Sequence, residues 1–132
     1  MLLESPKVTI NKSPQETYNF LSKVQNFEKL MPESIEKFEV LNESRFLFAL
    51  KGMPEIILEK KEELPPNRLV FGAAGGKIDF SLLGDIKEIS SNSSEVNLTF
   101  KGDFNPMMSM MIKGPIKKFI ETLATNLPTA IQ

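Results

Sequence analysis

The sequence predicts an α+β chain in which a strongly curved antiparallel sheet grips a long C-terminal helix around an apolar cavity. Three observations give the elements and their order, and a family resemblance implies the grip and the cavity. A capped helix start follows an initial strand, apolar residues alternate with polar ones from Glu36 to Gly102, and a helical apolar period returns after Asn105-Pro106. At 132 residues the chain fits one domain, 1–132, large enough to bury a true core.

Val8-Thr9-Ile10 reads as the end of the first strand. Ser13-Pro14-Gln15-Glu16 is a capping box, with Ser13 as N-cap and Pro14 at the first helical position. Tyr18, Leu21 and Val24, with Phe20 beside them, supply its apolar face, and Asn26 is expected to cap a second short helix through Phe27, Leu30 and Met31. Pro32 ends that helix by forcing its predecessor out of the helical region. Two short helices therefore follow one strand.

The period then falls to two, as in strands with one buried and one wet face. Phe38 and Val40 lie before the Asn42-Glu43-Ser44 turn, with Phe46, Phe48 and Leu50 after it. Ile56 and Leu58 run on to the Leu64-Pro65-Pro66-Asn67 break. Leu69 and Phe71 precede Gly75-Gly76, a hairpin signal because glycine tolerates positive φ. Ile78, Phe80, Leu82 and Ile86, then Val96, Leu98 and Phe100, complete six strands in sequence and seven in all. After Asn105-Pro106 an apolar stripe through Met108, Ile112, Ile116, Phe119, Ile120, Leu123 and Leu127 predicts a helix of about twenty residues. Gly114-Pro115 should kink it or split it in two, which makes Pro106 to Lys113 a candidate lid.

Composition excludes several chemistries. With no cysteine and no histidine, disulfides, the usual zinc sites, Cys–His pairs and Ser–His–Asp triads are ruled out. Asp79, Asp85 and Asp103 lack calcium or magnesium spacing. Gly72, Gly75 and Gly76 sit in a strand–turn–strand context, which is no phosphate loop. No catalytic residue, metal or cofactor is assigned. The 16 basic and 17 acidic residues are scattered, giving a net charge of −1, which points away from nucleic acid and from a membrane surface. The chain shows no signal-peptide run and no spanning stretch, so a cytoplasmic protein without membrane insertion, monomeric or weakly dimeric, is expected.

Several segments resemble the START-like or SRPBCC superfamily, which includes polyketide cyclase/dehydrase and lipid-transport proteins. Val8-Thr9-Ile10-Asn11 leading into Ser13 to Leu21 is similar to its opening, as is Phe27-Glu28-Lys29-Leu30-Met31-Pro32 just after it. Glu63-Leu64-Pro65-Pro66-Asn67-Arg68-Leu69-Val70-Phe71 resembles the run into its fifth strand. Asn105-Pro106-Met107-Met108 followed by Pro115 to Ile120 resembles its last helix. The match extends over essentially the whole chain. It implies the helix-grip fold of birch-pollen-allergen-like proteins, with a hydrophobic small molecule (lipid, quinone or polyketide-like) held between sheet and last helix.

On that reading the cavity is lined from the sheet by Phe38, Phe46, Phe48, Leu58, Phe71, Phe80, Leu82, Leu98 and Phe100. The helix adds Met108, Met111, Ile112 and Phe119. Methionine suits an adaptable pocket, and the four in Met107-Met108-Ser109-Met110-Met111 cannot all face inward on a helix. Lys60 and Glu62 share parity with Ile56 and Leu58, so either a charge reaches the cavity mouth or a bulge resets the register. Tyr18 is expected to rest its ring on the sheet with its hydroxyl near water. Carriage of an apolar molecule is the leading function. A cyclase or dehydratase-type enzyme and a protein-interaction module built on the Met-rich segment are the rivals.

Overall fold

The computed structural model describes residues 1–74 and 80–132, so the Gly75-Gly76 turn, Ile78 and Asp79 lie outside the described residues. Among the described residues eight strands form one antiparallel sheet: β1 (Leu2–Glu4), β2 (Val8–Ile10), β3 (Ile35–Asn42), β4 (Arg45–Leu50), β5 (Ile56–Leu64), β6 (Arg68–Ala73), β7 (Phe80–Ser90) and β8 (Ser93–Gly102). Their order is β1-β8-β7-β6-β5-β4-β3, with β2 also on β8. Helix α1 (Pro14–Ser22) and a 3-10 helix (Val24–Leu30) follow β2, and α2 (Pro106–Ala130) ends the chain. Helix α2 packs against β1, β2 and β8 near one edge of the sheet. Through Phe119 it also stacks on Phe48 of β4, near the other edge. One helix reaches both edges only because the sheet bends around it, which is the helix grip.

The first strand is two strands rather than one. Residues 5–7 stand opposite Asn97 and Leu98, one residue too many for a regular ladder. Pro6 has no N–H to offer there. Ser5 repairs the break with both of its groups. Its N–H donates to the Leu98 carbonyl at 2.8 Å, and its buried Oγ accepts from the Leu98 N–H at 2.9 Å.

The capping box at Ser13 and Glu16 forms, and Ser94 locks the helix it starts to the sheet. Ser94 Oγ donates to the Lys12 carbonyl at 3.1 Å, leaving the buried Thr17 hydroxyl to donate to Ser94 at 2.9 Å. Contrary to the expectation from sequence, Asn26 does not cap the second helix. It lies within the 3-10 turn, and its side-chain N–H donates back to the Phe20 carbonyl at 2.9 Å, closing the C-terminal end of α1. The same carbonyl also accepts the Lys23 N–H at 3.4 Å, so the last turn of α1 is closed from two sides.

The charged pair on β5 is explained by a bulge: Lys60 pairs Phe71 while Glu62 pairs Val70, so two residues advance against one. The reset leaves Glu62 exposed and Lys60 half-buried, 3.4 Å from Glu63. Strand β3, at the sheet edge, has register shifts at both ends, between Ile35 and Lys37 and between Val40 and Asn42.

Helix α2 is neither split nor stopped by Pro115; it runs unbroken for 25 residues. Pro115 and Met111, whose carbonyl loses its partner, are both exposed, so water satisfies the freed group. Asn105 caps the helix by accepting from the Met108 N–H at 2.8 Å. Its fully buried side chains begin only at Ile116 and continue through Phe119, Ile120, Leu123, Ala124 and Leu127. Asn126 fixes that half by donating to the Leu30 carbonyl at 3.0 Å. Among the described residues no helix is long and apolar enough to cross a membrane.

Ser5→Ala should leave the Leu98 N–H buried without a partner, at a cost of about 1–3 kcal/mol. Urea denaturation should show a lower midpoint with unchanged slope, and an unchanged midpoint would mean that the Ser5 hydroxyl contributes nothing.

Candidate functional site: an apolar pocket at the open end of the grip

The interior is filled in the middle by aromatic rings. Phe48 stacks on Phe119 with centroids 4.8 Å apart and planes 8° from parallel. Phe46 lies 6.0 Å from Phe48, 4.9 Å from Phe27 of the 3-10 helix and 5.5 Å from Phe38. Phe71 meets Phe46 edge-on at 5.8 Å and Phe27 at 5.2 Å. Stacked and edge-on pairs at these spacings are attractive beyond the area they bury, so the plug is cohesive.

Among the described residues the plug stands between two openings. The first is a void of about 10 Å³ between Leu21, Phe27, Leu69, Phe71, Leu82, Gly84 and Leu98, too small for any ligand. The second is a pocket of about 110 Å³ under the N-terminal half of α2. Met108, Met111, Ile112 and Ile116 of the helix form one wall. Phe80, Phe100 and Ile56 of the sheet form the opposite wall, and the loop residues Met53, Pro54 and Phe104 close the ends. The described residues that line it are all apolar.

Five of the residues expected to line a cavity meet at this pocket: Phe80, Phe100, Met108, Met111 and Ile112. Phe71, Leu82 and Leu98 surround the small void instead. Phe46, Phe48 and Phe119 belong to the plug, with Phe38 half-buried against it, and Leu58 is buried in the core. The single cavity expected between sheet and helix is thus divided, because inward-facing phenylalanines of β4 and α2 reach across and touch. Sequence reasoning missed Ile56 and Ile116 as lining, although both lie on the right faces. It also missed Met53, Pro54 and Phe104, which sit in loops where periodicity gives no signal.

Phe104 is held by a glycine. Its ring lies where a β-carbon on Gly102 would stand, and it stacks on Phe100 at 6.2 Å and 4°. Phe100 in turn stacks on Phe80 at 5.4 Å, so three rings form a continuous wall.

Tyr18 is placed differently from expectation. It is only 5 % exposed, its hydroxyl is buried with no hydrogen-bond partner among the described residues, and it lines neither opening. Burial pushes its pKa above the usual phenol value, and the negative charge of Glu63 adds to the rise. The phenol is therefore held neutral, which unsuits it to act as a base. A surface groove of about 550 Å³ runs over the outer face of β6, β7 and β8. It mixes Lys7, Arg68 and Lys87 with Asp85, Glu88 and Glu95, and Arg68 is already paired to Asp85 at 2.6 Å. Such alternation presents no single sign of charge to a ligand.

No family model matches the sequence, and no curated protein matches it in sequence. Solved structures do match in fold. A point mutant of norcoclaurine synthase from Thalictrum flavum, in complex with a transition-state analogue, superposes with a TM-score of 0.75 at 9 % identity, over 99 % of this chain and 93 % of that one. A START superfamily protein from Mycobacterium smegmatis gives 0.70 at 12 % identity, over 98 % and 96 % of the two chains. A protein from Thermus thermophilus gives 0.72 at 14 % identity, over 99 % and 97 %. At these identities the likeness establishes the START-like helix-grip fold, in agreement with the sequence resemblance.

The packing can be probed at two places. Leu82→Trp should overpack the small void and cost about 1–3 kcal/mol; thermal denaturation checks this, and a neutral result would mean the interior is looser than its rings indicate. Tyr18 is the only tyrosine and tryptophan is absent, so tyrosinate absorbance reports one residue. Because the folded pKa is raised, ionisation opposes folding: the contribution is fully present below the unfolded pKa of about 10 and is lost as pH climbs through the folded value. The absorbance should rise at higher pH in native than in urea-unfolded protein.

Proposed function

We propose that this protein binds a small apolar molecule, or the apolar end of a larger one, in the pocket beneath the N-terminal half of α2. The observation that carries this is the pocket's composition and size: about 110 Å³, with a described lining of methionine, isoleucine, phenylalanine and proline. Ligand sites for drug-sized molecules run to about 300–1,000 Å³, whereas an engineered apolar cavity of about 150 Å³ holds benzene. The pocket therefore suits one ring or a short stretch of acyl chain, and a whole lipid would project through its mouth. Norcoclaurine synthase of the same fold has been solved in complex with dopamine and hydroxybenzaldehyde, which are single-ring molecules. Phe80, Phe100 and Phe104 offer flat faces to such a ring, and Met108 and Met111 can adjust to its outline.

A cyclase or dehydratase-type reaction would need a proton donor or acceptor at the pocket. The described lining supplies none, which favours binding over catalysis. Burial of about 150 Å² of ligand gives a gross gain near 4 kcal/mol at ~25 cal/mol/Å², and association costs come out of it, so a bare ring should bind no tighter than roughly millimolar Kd.

An environment-sensitive apolar dye, displaced by single-ring aromatics, quinones and fatty acids of increasing length, tests this. Ring-sized and short-chain competitors should displace it, and Met108→Trp, which fills the pocket, should abolish dye binding at small cost in stability. If no competitor displaces dye from folded protein, or Met108→Trp binds dye as before, the pocket is not the site.

A further inference from the structure

The first half of α2 carries two features that core packing does not use. Met107, Met110 and Met111 are 75 %, 84 % and 72 % exposed. They form an exposed apolar tip on the first turns of α2, next to Met53 and Pro54, which share the pocket with Met111. Large exposed apolar side chains gathered in one place mark an interaction surface. One to two turns further along the helix come Lys113, Lys117 and Lys118, all exposed and, among the described residues, in no ion pair. From Pro106 to Ile120 there is no acidic residue, and the flanking acids are Asp103 before the helix and Glu121 one turn past Lys117 and Lys118. The chain as a whole has a charge of −1, so this segment concentrates positive charge that the whole-chain balance hides.

We propose that this end of the protein docks on an anionic lipid surface, with the methionine tip in the acyl boundary and the three lysines among the phosphates. The seven residues separating Met110 from Lys117 span about 10 Å at 1.5 Å rise, which matches the depth of about 5–10 Å to which interfacial apolar groups are buried. Charge also separates this occupant from the alternatives. A symmetric pair of copies would bring two lysine-bearing patches of the same sign together with no acidic partner between them. Methionine, flexible and unbranched, suits a fluid layer of acyl chains better than a fixed partner surface. The placement has a use: Met111 belongs to both the tip and the pocket, so the docked pocket mouth faces the lipid, and an apolar molecule passes between them without crossing water. Docking itself does not require a loaded pocket.

The test is flotation of the full chain with phosphatidylcholine vesicles, with and without phosphatidylglycerol, at low and high salt. Binding is expected only with phosphatidylglycerol and is expected to weaken as salt screens the lysines. Lys113→Gln, Lys117→Gln and Lys118→Gln together should lower the vesicle affinity by roughly 100-fold, each lysine contributing about fivefold. Met107→Ser with Met110→Ser should lower it by about tenfold or more through lost apolar burial. Neither methionine lines the pocket, so dye binding in this double variant should not change, which separates failure of docking from failure of the pocket. Absence of flotation overturns the proposal, as does equal binding to neutral vesicles or equal binding by both sets of variants. Concentration-dependent dimerisation that the methionine variant abolishes, without vesicle binding, overturns it too and assigns the surface to a second copy.

Discussion

The stack of Phe48 on Phe119 is the contact on which the interior depends. It joins a strand near one edge of the sheet to a helix that also lies on the strands of the other edge, and so holds the grip closed. Phe46, Phe27 and Phe71 extend it to the 3-10 helix and to β6. A curved sheet around one helix encloses more volume than aliphatic side chains of ordinary reach would fill. Here rings fill the middle, and the space left over is displaced to the end, where methionine and isoleucine replace phenylalanine on the helix.

Helix α2 accordingly has two halves with different physics. From Ile116 onward it behaves as a core element, with five further buried positions and the Asn126 bond to Leu30. Before Ile116 nothing on it is fully buried, and its order rests on the Asn105 cap, Pro106 at the first turn and backbone bonds. Gly114 and Pro115 stand at the boundary, and a β-carbon on Gly114 would meet nothing within 4 Å. The half that lines the pocket is thus the half with least tertiary restraint. Binding surfaces are commonly drawn from such low-stability regions.

Much of this was legible in the sequence, and the reasons are local. Ser13 with Glu16 and Asn105 with Pro106 mark helix starts through bonds made within four residues, so chain order alone reveals them. Alternation in β4, β5, β6 and β8 reports the buried face because the pleat fixes it. What stayed hidden depends on distance through space. Parity says that Phe46, Phe48 and Phe119 point inward but not that their rings touch and close the cavity. Nothing near Ser5 announces that its hydroxyl serves Leu98, 93 positions away. Asn26 reads as the start of a helix because the same side chain can close the previous one, and only the geometry of the connection decides which.

The irregular edge at β3 bears on the behaviour of many copies together. An exposed sheet margin is a template for a strand of another molecule, and this margin carries exposed Val40 and Leu41. Regular pairing on it is interrupted at both ends by the shifts at Ile35/Lys37 and Val40/Asn42, which leaves about four residues of even ladder. Lys37 and Glu39 put charge within that short run, and Lys37 is already engaged with Glu55 at 3.0 Å. A strand arriving from a neighbour would find too few bonds in line to hold it, and would bring charge against charge. The least regular strand of the sheet is thereby the one that resists edge-to-edge pairing.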